Sequence, residues 1–477
     1  MAKTTVYTIP QACKDYVREQ GYPVAIEPME SYIEEWYSWL KATGDFYDYK
    51  SKDSAGRVYQ VHRLSMHPAQ RVCNEWASLI LNEDTVINCE QQECTDWLAD
   101  FFGRKSFFAL GQGLIARAFA LGTGAWAVWL DVDAGVMQVR RYDARMVLPL
   151  SWDDDGVSEC AFVTQVSHKG KALDQVQMHV MEGGTYHIKT AIFDDAGKQV
   201  SVEGVEEDFD TGCPTPTFAV VRPAIDNTCV DLSPYGQSVY ADAIDAIKAC
   251  DLSYDAIFSE VDLSKMRIFL SDMMFEVEDR GGKPTAIPFG KDDCTVYRRV
   301  QSTEDMIQIF APQMRTETQK AALRTSLQSL GDLCGFRSQY FDVDKSGGLK
   351  TATEVSSDNS MLMRNVKKHE NLLEGAIAQL GHAVLHCARE FLGAPLPEEG
   401  EITVQWDDSI ITDTATEKAQ DLAEVNVTMQ PWEYRVKWYG EDEATAKANV
   451  PGQRVTASPF DFQDETSEEL PEDAPEE

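Results

Sequence analysis

The strongest constraint on the fold is a run of about 40 residues, from about Ala352 to Leu392, that keeps an apolar stripe at helical spacing. The stripe consists of Val355, Leu362, Val366, Leu373, Ile377, Leu380, Val384 and Phe391. An unkinked helix of this length spans roughly 60 Å at 1.5 Å per residue. So long a helix favours an oligomeric assembly or a strut between lobes over a small globule.

The length of the chain predicts several lobes. At 477 residues with 43% hydrophobic content, it exceeds what one compact domain usually holds. The sequence contains no uninterrupted apolar run of about 18 residues, the length expected of a membrane span. The N-terminus also lacks the apolar run of a signal peptide. The 11 cysteines are scattered and odd in number, which argues against a disulfide framework. We therefore expect a soluble protein made in the cytoplasm, with reduced thiols and no membrane partner.

The charge balance is strongly acidic. Lys and Arg total 43 against 79 Asp and Glu, a net charge of -36. Neutralisation of phosphates is the main source of nucleic-acid affinity, so the chain is poorly suited to grip DNA over its whole surface. An acidic wall could instead let a duplex slide past. Charge alone does not decide between a DNA conduit and an ordinary acidic protein.

The N-terminal half is predicted to contain helices followed by a β meander. In the first hundred residues one helical stripe consists of Ile33, Trp36, Tyr37 and Leu40. Residues 111–221 instead show short runs of period-two alternation separated by Asp- and Gly-rich turns. Helices followed by hairpins predict an α+β fold.

Two helices flank a strand and turn segment further along the chain. The first is predicted from around Pro234 to about Leu263, and the second begins at Thr316. The Thr316 hydroxyl is expected to cap the amide of Gln319 while the Gln319 side chain reaches back. A glycine-bearing loop, DVDKSGGLK at 342–350, separates the second helix from the long helical run.

The C-terminal part is predicted to be a strand-like segment, EITVQWDD, and two helical pieces split at 430–432. From Gln453 onward Pro, Ser and acidic residues dominate, and the final DETSEELPEDAPEE contains no base. We expect residues 453–477 to be a solvated, disordered tail.

The loop at 342–350 resembles the start of a calcium-binding EF-hand. Asp342, Asp344, Ser346 and Gly347 match positions 1, 3, 5 and 6. Position 12 requires a bidentate carboxylate, but Thr353 stands there. The neighbouring Glu354 suits a capping box with Thr351 at the start of the long helix. Calcium binding is therefore not predicted.

Other metal and catalytic motifs also fail. His382 and His386 have a zinc-compatible spacing with Cys387 and Glu390 near them, but the intervening residues lack the Glu of a metalloprotease helix. Gly290-Lys291 lacks the other residues of a phosphate loop, and no nucleophile elbow or dinucleotide fingerprint occurs. The sequence predicts no catalytic residue, no metal and no cofactor.

Three stretches carry a resemblance to a known family. They are the hairpin series at 120–163, the loop and helix start at 346–380, and the segment 406–446, which contains WDDSIITD. Together with the order of elements over nearly the whole chain, they resemble the portal proteins, or head–tail connectors, of long-tailed bacteriophages, of the type found in phages of Gram-positive hosts. The resemblance carries no catalytic signature.

The resemblance implies an α+β, multi-lobed subunit with a helical and β wing, paired stem helices, a small α/β clip, a long kinked helix and a helical crown. The implied boundaries are wing 1–233, stem helix 234–263, clip 264–315, second stem helix 316–341, tunnel loop 342–351, long wing helix 352–394, crown 395–452 and acidic tail 453–477.

The resemblance also implies a function and partners. Such subunits close into a ring, usually of twelve, at one capsid vertex of the virion. The ring is a channel for double-stranded DNA during packaging and ejection. It docks the terminase packaging motor and the head–tail adaptor, and it contacts capsid and scaffolding proteins. Assembly is expected in the cytoplasm of the infected bacterial cell.

The tunnel loop is the candidate DNA contact. Gly347 and Gly348 permit backbone conformations closed to other residues, so the loop could shift with passing DNA. Lys345 and Lys350 could touch phosphates, repeated around the ring, while the loop's other members on this reading are Ser346 and Leu349. A plain surface turn with two solvated lysines is the alternative.

Two other classes of function remain open from the residues alone. One is an acidic cytoplasmic enzyme such as a hydrolase, which is supported only by the size of the chain and its mixed α/β pattern. The other is a metal-regulated interaction protein that uses the calcium-like loop or the histidine pair.

Overall fold

The computed structural model describes residues 7–52, 56–131, 135–271, 276–279, 284–287, 296–299, 307–341, 352–407, 418, 421–425 and 427–450. The chain divides into two compact units, Met1–Ile411 and Thr412–Glu477. The predicted tunnel loop, the calcium-like motif, Gly290-Lys291 and the acidic tail lie outside the described residues.

The first unit contains eight α-helices among its described residues. They are α1 Gln11–Glu19, α2 Glu30–Lys41, α3 Pro68–Ile80, α4 Gln92–Arg104, α5 Phe107–Leu121, α6 Ile244–Leu263, α7 Thr316–Leu333 and α8 Ala352–Leu392. Short 3-10 turns at Glu27–Met29 and Ala241–Ala243 precede α2 and α6. Within this part of the chain no helix is both long and apolar enough to cross a bilayer.

The strands of the first unit follow in chain order. They are β1 Asp48–Lys52, β2 Val58–His62, β3 Val86–Cys89, β4 Gly124–Asp131, β5 Val136–Asp143, β6 Val147–Asp153, β7 Gly156–His168, β8 Lys171–Glu182, β9 Thr185–Phe193, β10 Asp208–Asp210, β11 Phe218–Val221, β12 Arg267–Ser271, β13 Glu276–Asp279, β14 Pro284–Ile287, β15 Val296–Arg299, β16 Ile307–Phe310 and β17 Ile402–Gln405.

These strands form six small sheets. The largest is antiparallel, in the order β10-β9-β8-β7-β6. A three-stranded sheet, β11-β4-β5, flanks it in the sequence, with β4 and β5 before it and β11 after it. In the predicted clip, β12 lies between β15, which runs parallel to it, and β16, which is antiparallel. The pairs β13-β14, β17-β3 and β1-β2 complete the set. The mixture of separate helical and antiparallel β regions confirms the α+β class.

The meander begins later than predicted. Residues 111–121 belong to α5, and the first strand of the meander starts at Gly124. The error has a physical cause, because FFALGQGLIARAFAL is apolar nearly all round and its period is hard to read. Gly122, with φ +83°, ends α5 and starts the turn into β4.

The first predicted stem helix also begins later than expected. Regular α-helix starts at Ile244 rather than near Pro234. The intervening chain packs tightly instead, since a Cβ on Gly236 would lie 2.5 Å from the Gly122 carbonyl oxygen. That close approach of two backbones favours glycine at both positions.

The long helix is confirmed at the predicted bounds, 352–392. Its side chains are described from residue 361. Leu362, Val366, Leu373, Ile377, Leu380 and Val384 are all buried, as the stripe predicted. They pack on α3, α4, β4, β11 and β17, and each buried side chain of this size contributes about 2 kcal/mol. The predicted kink remains a prediction.

Two short helices of the second unit lie after residue 430. They are α9 Pro431–Tyr439 and α10 Glu443–Asn449. A capping box starts α9, in which the Gln430 side chain accepts a backbone N–H and Glu433 reaches back to the Gln430 N–H. Arg435 forms a bidentate pair with Glu441 at 2.9 and 2.6 Å. Both α9 and α10 follow the predicted split at 430–432, and helical residues 421–424 precede it.

Candidate functional site

The predicted DNA-contacting residues, Lys345 to Lys350, and the predicted cap residue Thr351 lie outside the described residues. Glu354 falls within α8, and its side chain lies outside them as well. The structure does describe both flanks of the loop, residues 333–341 and α8. We therefore define the loop anchor as the set of contacts that fixes these two flanks.

A glycine-dependent turn forms the first flank. At the end of α7 the Phe336 N–H donates to the Gly331 carbonyl at 2.9 Å, and the Gly335 N–H donates to the Asp332 carbonyl at 3.2 Å. Gly335 has φ +83°, as the residue after a helix does in a Schellman motif. A Cβ on Gly331 would lie 2.7 Å from the Arg337 carbonyl oxygen. The chain thus folds back onto its own helix before the loop begins.

An aromatic cluster then holds the segment against α3. The ring of Phe336 lies 4.4 Å from Trp76, 4.7 Å from Tyr340 and 5.1 Å from Phe341, measured between ring centroids. The Trp76 indole N–H donates to the Cys334 carbonyl at 3.1 Å. Because Trp76, Phe336 and Phe341 are almost fully buried, the cluster anchors the entry to the loop through both apolar burial and a directed hydrogen bond.

The second flank, α8, contacts the first flank directly. The Asn365 side-chain amide donates to the Gly335 carbonyl at 2.7 Å. One turn further along, the His369 ring lies 4.9 Å from Trp76 and 4.8 Å from Phe119. These contacts join the end of α7, α3 and α8 at one point. They fix the N-terminal end of the loop, whereas Asn365 lies about 14 residues beyond its C-terminal end.

His369 is neutral in this base. Burial, and then the charge of Lys368, lower the pKa of His369 to about 4. Its Nδ1 accepts a hydrogen bond from the Ala224 N–H at 3.0 Å, which requires an unprotonated nitrogen at that position. The ring therefore serves as a buried acceptor and an aromatic wall.

A second joint connects the two predicted stem helices. Glu260, near the end of α6, accepts hydrogen bonds from the Arg315 N–H at 2.8 Å and from the Arg315 guanidinium at 3.2 Å. The Gln319 side-chain amide also donates to Glu260. The Arg315 backbone N–H, followed by its side chain, lowers the pKa of Glu260. The carboxylate thus joins the end of α6 to the start of α7.

This joint corrects the expected cap of α7. The N-cap residue is Arg315, not Thr316, and no side chain caps the helix. Gln319 cannot reach back as a capping-box residue because its amide serves Glu260 of the other helix. A contact across a long sequence separation has replaced a local one.

A buried carboxylate, Asp251, fixes the N-terminal half of α6. Asp251 is fully buried and accepts from the Tyr47 hydroxyl at 2.7 Å, the Ser65 hydroxyl at 2.7 Å and the Met66 N–H at 2.9 Å. Burial, followed by the Asp251 hydrogen bond and charge, raises the pKa of Tyr47, so the phenol remains a donor. Asp251 therefore ties α6 to the N-terminal segment that leads into α3.

The two histidines with zinc spacing have other partners. His382 Nδ1 lies 2.8 Å from a Glu399 carboxylate oxygen, and His386 Nε2 lies 3.2 Å from the Thr211 carbonyl. Burial opposes ionisation of Glu399, but hydrogen bonds from His382 and Arg389 outweigh it and lower its pKa to about 2. The contacts of Glu399 with His382 and Arg389 are structural. Among the described residues they bring no third metal ligand to the two histidines.

Among the described residues, one group has side chains close enough to share a metal ion, namely Glu182, His187 and Asp208. The Lys189 ammonium pairs with Glu182 at 2.5 Å, and His187 Nδ1 lies 2.9 Å from Asp208. The Lys189 cation already offsets one of the two carboxylate charges of the group. An ion pair network at the sheet surface accounts for it.

The cysteines behave as small buried apolar residues. All those in the described part of the chain are free, and most are buried. Burial, and then the proximity of Asp251, raises the pKa of Cys250 to about 12, and burial with Cys213 does the same for Cys387. A thiol with so high a pKa is a poor nucleophile. The thiols thus offer no activated catalytic group.

The described part of the chain is an α+β scaffold with a long strut helix and a braced helix pair. A family model described as "Phage portal protein, SPP1 Gp6-like" matches residues 30–440. The chain belongs to this family of phage portal proteins. No curated protein sequence matches it.

Two solved structures are similar to the chain at low sequence identity. A chain in "Neck of empty GTA particle computed with C6 symmetry" is 12% identical over 78% of this chain and 88% of that chain, with a TM-score of 0.40. A chain in "Virion of native gene transfer agent (GTA) particle" is 12% identical over 85% and 92%, with a TM-score of 0.40.

Family membership establishes the class of function. Portal proteins are structural rather than enzymatic, and they form a homo-oligomeric ring that is the channel at one vertex of the phage capsid. The chain is accordingly a component of the virion, and a hydrolase is not favoured.

Proposed function

We propose that twelve copies of this chain form the portal ring and that double-stranded DNA passes through it during packaging and ejection. The segment 342–351 lines the narrowest part of the channel, with Lys345 and Lys350 as its phosphate contacts. The observation that supports the proposal is the loop anchor, in which α3 and α8 hold the end of α7 and the chain that enters this glycine-bearing segment in one base.

The anchor suits a loop that must move while the chain entering it stays in place. Phe336 and Trp76 are buried at its base, whereas Gly347 and Gly348 allow the intervening backbone to change conformation at little steric cost. A single weak lysine–phosphate contact is worth little, but repetition around a ring multiplies it. The acidic balance of the rest of the chain favours sliding over tight binding.

The lobes are assigned on the same basis. Residues 1–233 and 352–394 form the wing, 234–263 and 316–341 the stem, 264–315 the clip, and 395–452 the crown. The clip docks the terminase motor and later the head–tail adaptor. The wing meets capsid and scaffolding proteins, and the ring assembles in the cytoplasm of the infected bacterial cell, with a Gram-positive host as the expected type.

Part of the assigned crown contributes to the first unit. Strand β17 pairs with β3, with Ile402 opposite Cys89 and Gln405 opposite Val86, and the second unit begins at Thr412. On the proposed assignment, the crown therefore connects to the wing through a β pair as well as through the covalent chain.

Charge reversal of the loop tests the proposal. The variant Lys345→Glu with Lys350→Glu should form normal rings but lower the amount of packaged DNA by about tenfold or more, because each loop then repels phosphate. Packaging is measured as nuclease-protected DNA in particles assembled with the variant.

The matched control is Lys105→Glu with Lys171→Glu, which makes the same change in net charge at two exposed positions of the first unit. It should package normally. Wild-type packaging by the loop variant, in rings shown intact by electron microscopy, would remove the loop from the DNA path.

A further inference from the structure

The hairpin formed by β1 and β2 is an exposed two-stranded sheet. Val58 is 56% exposed and Tyr59 50% exposed. A hairpin of two strands is marginally stable by itself in water. Additional apolar contact from outside the strands would stabilise it.

The base of this hairpin is rigid. The Arg63 guanidinium lies 4.0 Å from the centroid of the Phe46 ring and 5.1 Å from that of Tyr49. The Leu64 N–H donates to the Asp255 carboxylate on α6 at 3.0 Å. The strands are therefore presented in a fixed direction rather than as a loose loop.

The hairpin is basic in an acidic chain. Residues 48–63 contain four Lys or Arg against two Asp, a net charge of +2, whereas the whole chain carries -36. The register places Lys50 opposite Gln60 and Lys52 opposite Val58. Lysines and an exposed valine thus share one face, which combines positive charge with apolar surface.

An acidic groove lies elsewhere on the same unit. A cavity of about 630 Å³ is bordered by α1, β8 and residues 193–199. Its carboxylates are Asp15, Glu19, Asp174, Asp194 and Asp195.

The groove combines negative charge with apolar surface. Burial, and then the charge of Asp195, raises the pKa of Asp174, so a cation beside this carboxylate would favour its charged form. The Tyr16 and Phe193 rings, 5.7 Å apart, add apolar surface.

We propose that the β1–β2 hairpin is an arm that docks on a second copy of this chain, its neighbour in the portal ring, with its lysines and Val58 against the acidic groove. The hairpin is not among the residues that line the groove, so the two surfaces are not joined within one chain. In a closed ring each copy contacts one neighbour through one surface and the other neighbour through a different surface. Two complementary surfaces on one chain can therefore pair at every interface of the ring. The inference rests on ring formation by the portal family.

The opposite charges permit a swap experiment. Lys50→Glu with Lys52→Glu should raise the subunit concentration at which half of the protein is assembled by about tenfold, and so should Glu19→Lys with Asp195→Lys. Because the combined variant restores opposite charges across the interface, it should assemble as the wild type does. Mass photometry over a concentration series gives the ring fraction, and thermal melts of the dissociated subunits establish that each variant folds.

The control is Lys105→Glu with Lys171→Glu, which should leave assembly unchanged. Normal assembly of the Lys50 and Lys52 variant would overturn the arm, and so would failure of the combined variant to recover. Intact rings with reduced DNA packaging would show that the hairpin meets DNA instead. A wild type that never forms rings would contradict the portal assembly itself, whereas the variant results concern only the arm.

Discussion

At the scale of single residues, the turn before the loop depends on a glycine inside a helix. Gly331 lies in the last turn of α7, where an added Cβ would meet the Arg337 carbonyl oxygen at 2.7 Å. Alanine normally favours a helix over glycine by about 1 kcal/mol. At this position the backbone clash wins, and Gly331→Ala should lower the free energy of unfolding by about 2 kcal/mol.

Gly375, in the middle of α8, is the matched control. An added Cβ there would have nothing within 4 Å, and the residue is exposed. Gly375→Ala should therefore stabilise the protein by about 0.5–1 kcal/mol. Chemical denaturation of both variants checks the pair. A stabilising Gly331→Ala would mean that the turn does not approach α7 as described.

The buried His369 predicts a pH dependence of stability. The unfolded chain takes up a proton near pH 6.5 and the folded protein near pH 4. The contribution of this group to stability is thus complete above pH 6.5 and is lost as the pH falls below that value. Between pH 7 and pH 5 the protein should lose about 2 kcal/mol of unfolding free energy through this group.

The variant His369→Asn tests this dependence. Its side-chain oxygen can still accept from the Ala224 N–H, but it does not titrate. The difference in unfolding free energy between wild type and variant should narrow by about 2 kcal/mol from pH 7 to pH 5. Parallel pH profiles for the two proteins would contradict a neutral, buried His369.

At the scale of elements, Asp251 is the link between α6 and the segment that leads into α3. Asp251→Ala leaves the Tyr47 hydroxyl, the Ser65 hydroxyl and the Met66 N–H without their acceptor in the interior. We expect a loss of about 3 kcal/mol or more in unfolding free energy.

Asp255→Ala, one turn further along α6, is the comparison for this link. It removes one accepted bond, from the Leu64 N–H, at a half-exposed residue, so it should cost about 1 kcal/mol. Equal effects in urea unfolding would rule out Asp251 as the main link.

Elements with a clear period could be predicted from the sequence. The stripe from 352 to 392 gave the correct bounds for α8, and the second stem helix begins at Thr316 as expected. Both runs have polar residues on one side and apolar residues on the other. By contrast α5, which is apolar on nearly every side, was partly read as strand because its sequence carries no clear period.

The loop anchor could not be predicted in the same way. Trp76 donates to Cys334 across 258 positions of sequence, and no local pattern relates those two residues. The arm hairpin gave little signal, because neither DYKSK nor VYQVH alternates regularly between apolar and polar residues around the Asp- and Gly-containing stretch. The predicted contact residues, Lys345 and Lys350, remain predictions.

At the scale of the whole molecule, charge and assembly are connected. A net charge of -36 per chain opposes the close approach of identical copies. A ring then needs local patches of the opposite sign, and the basic arm is one such patch. Ring stability should accordingly depend on salt in two ways, because screening reduces both the general repulsion and the specific attraction.

The most direct test of the central claim is electron microscopy of the purified full-length chain, together with its mass in solution. The account predicts rings with a central channel wide enough for a DNA duplex, with 342–351 facing the channel. For twelve copies of a 53.4 kDa chain, the expected mass is about 640 kDa. A folded protein that remains a monomer under conditions that favour assembly, or a ring with that segment turned away from the channel, would contradict it.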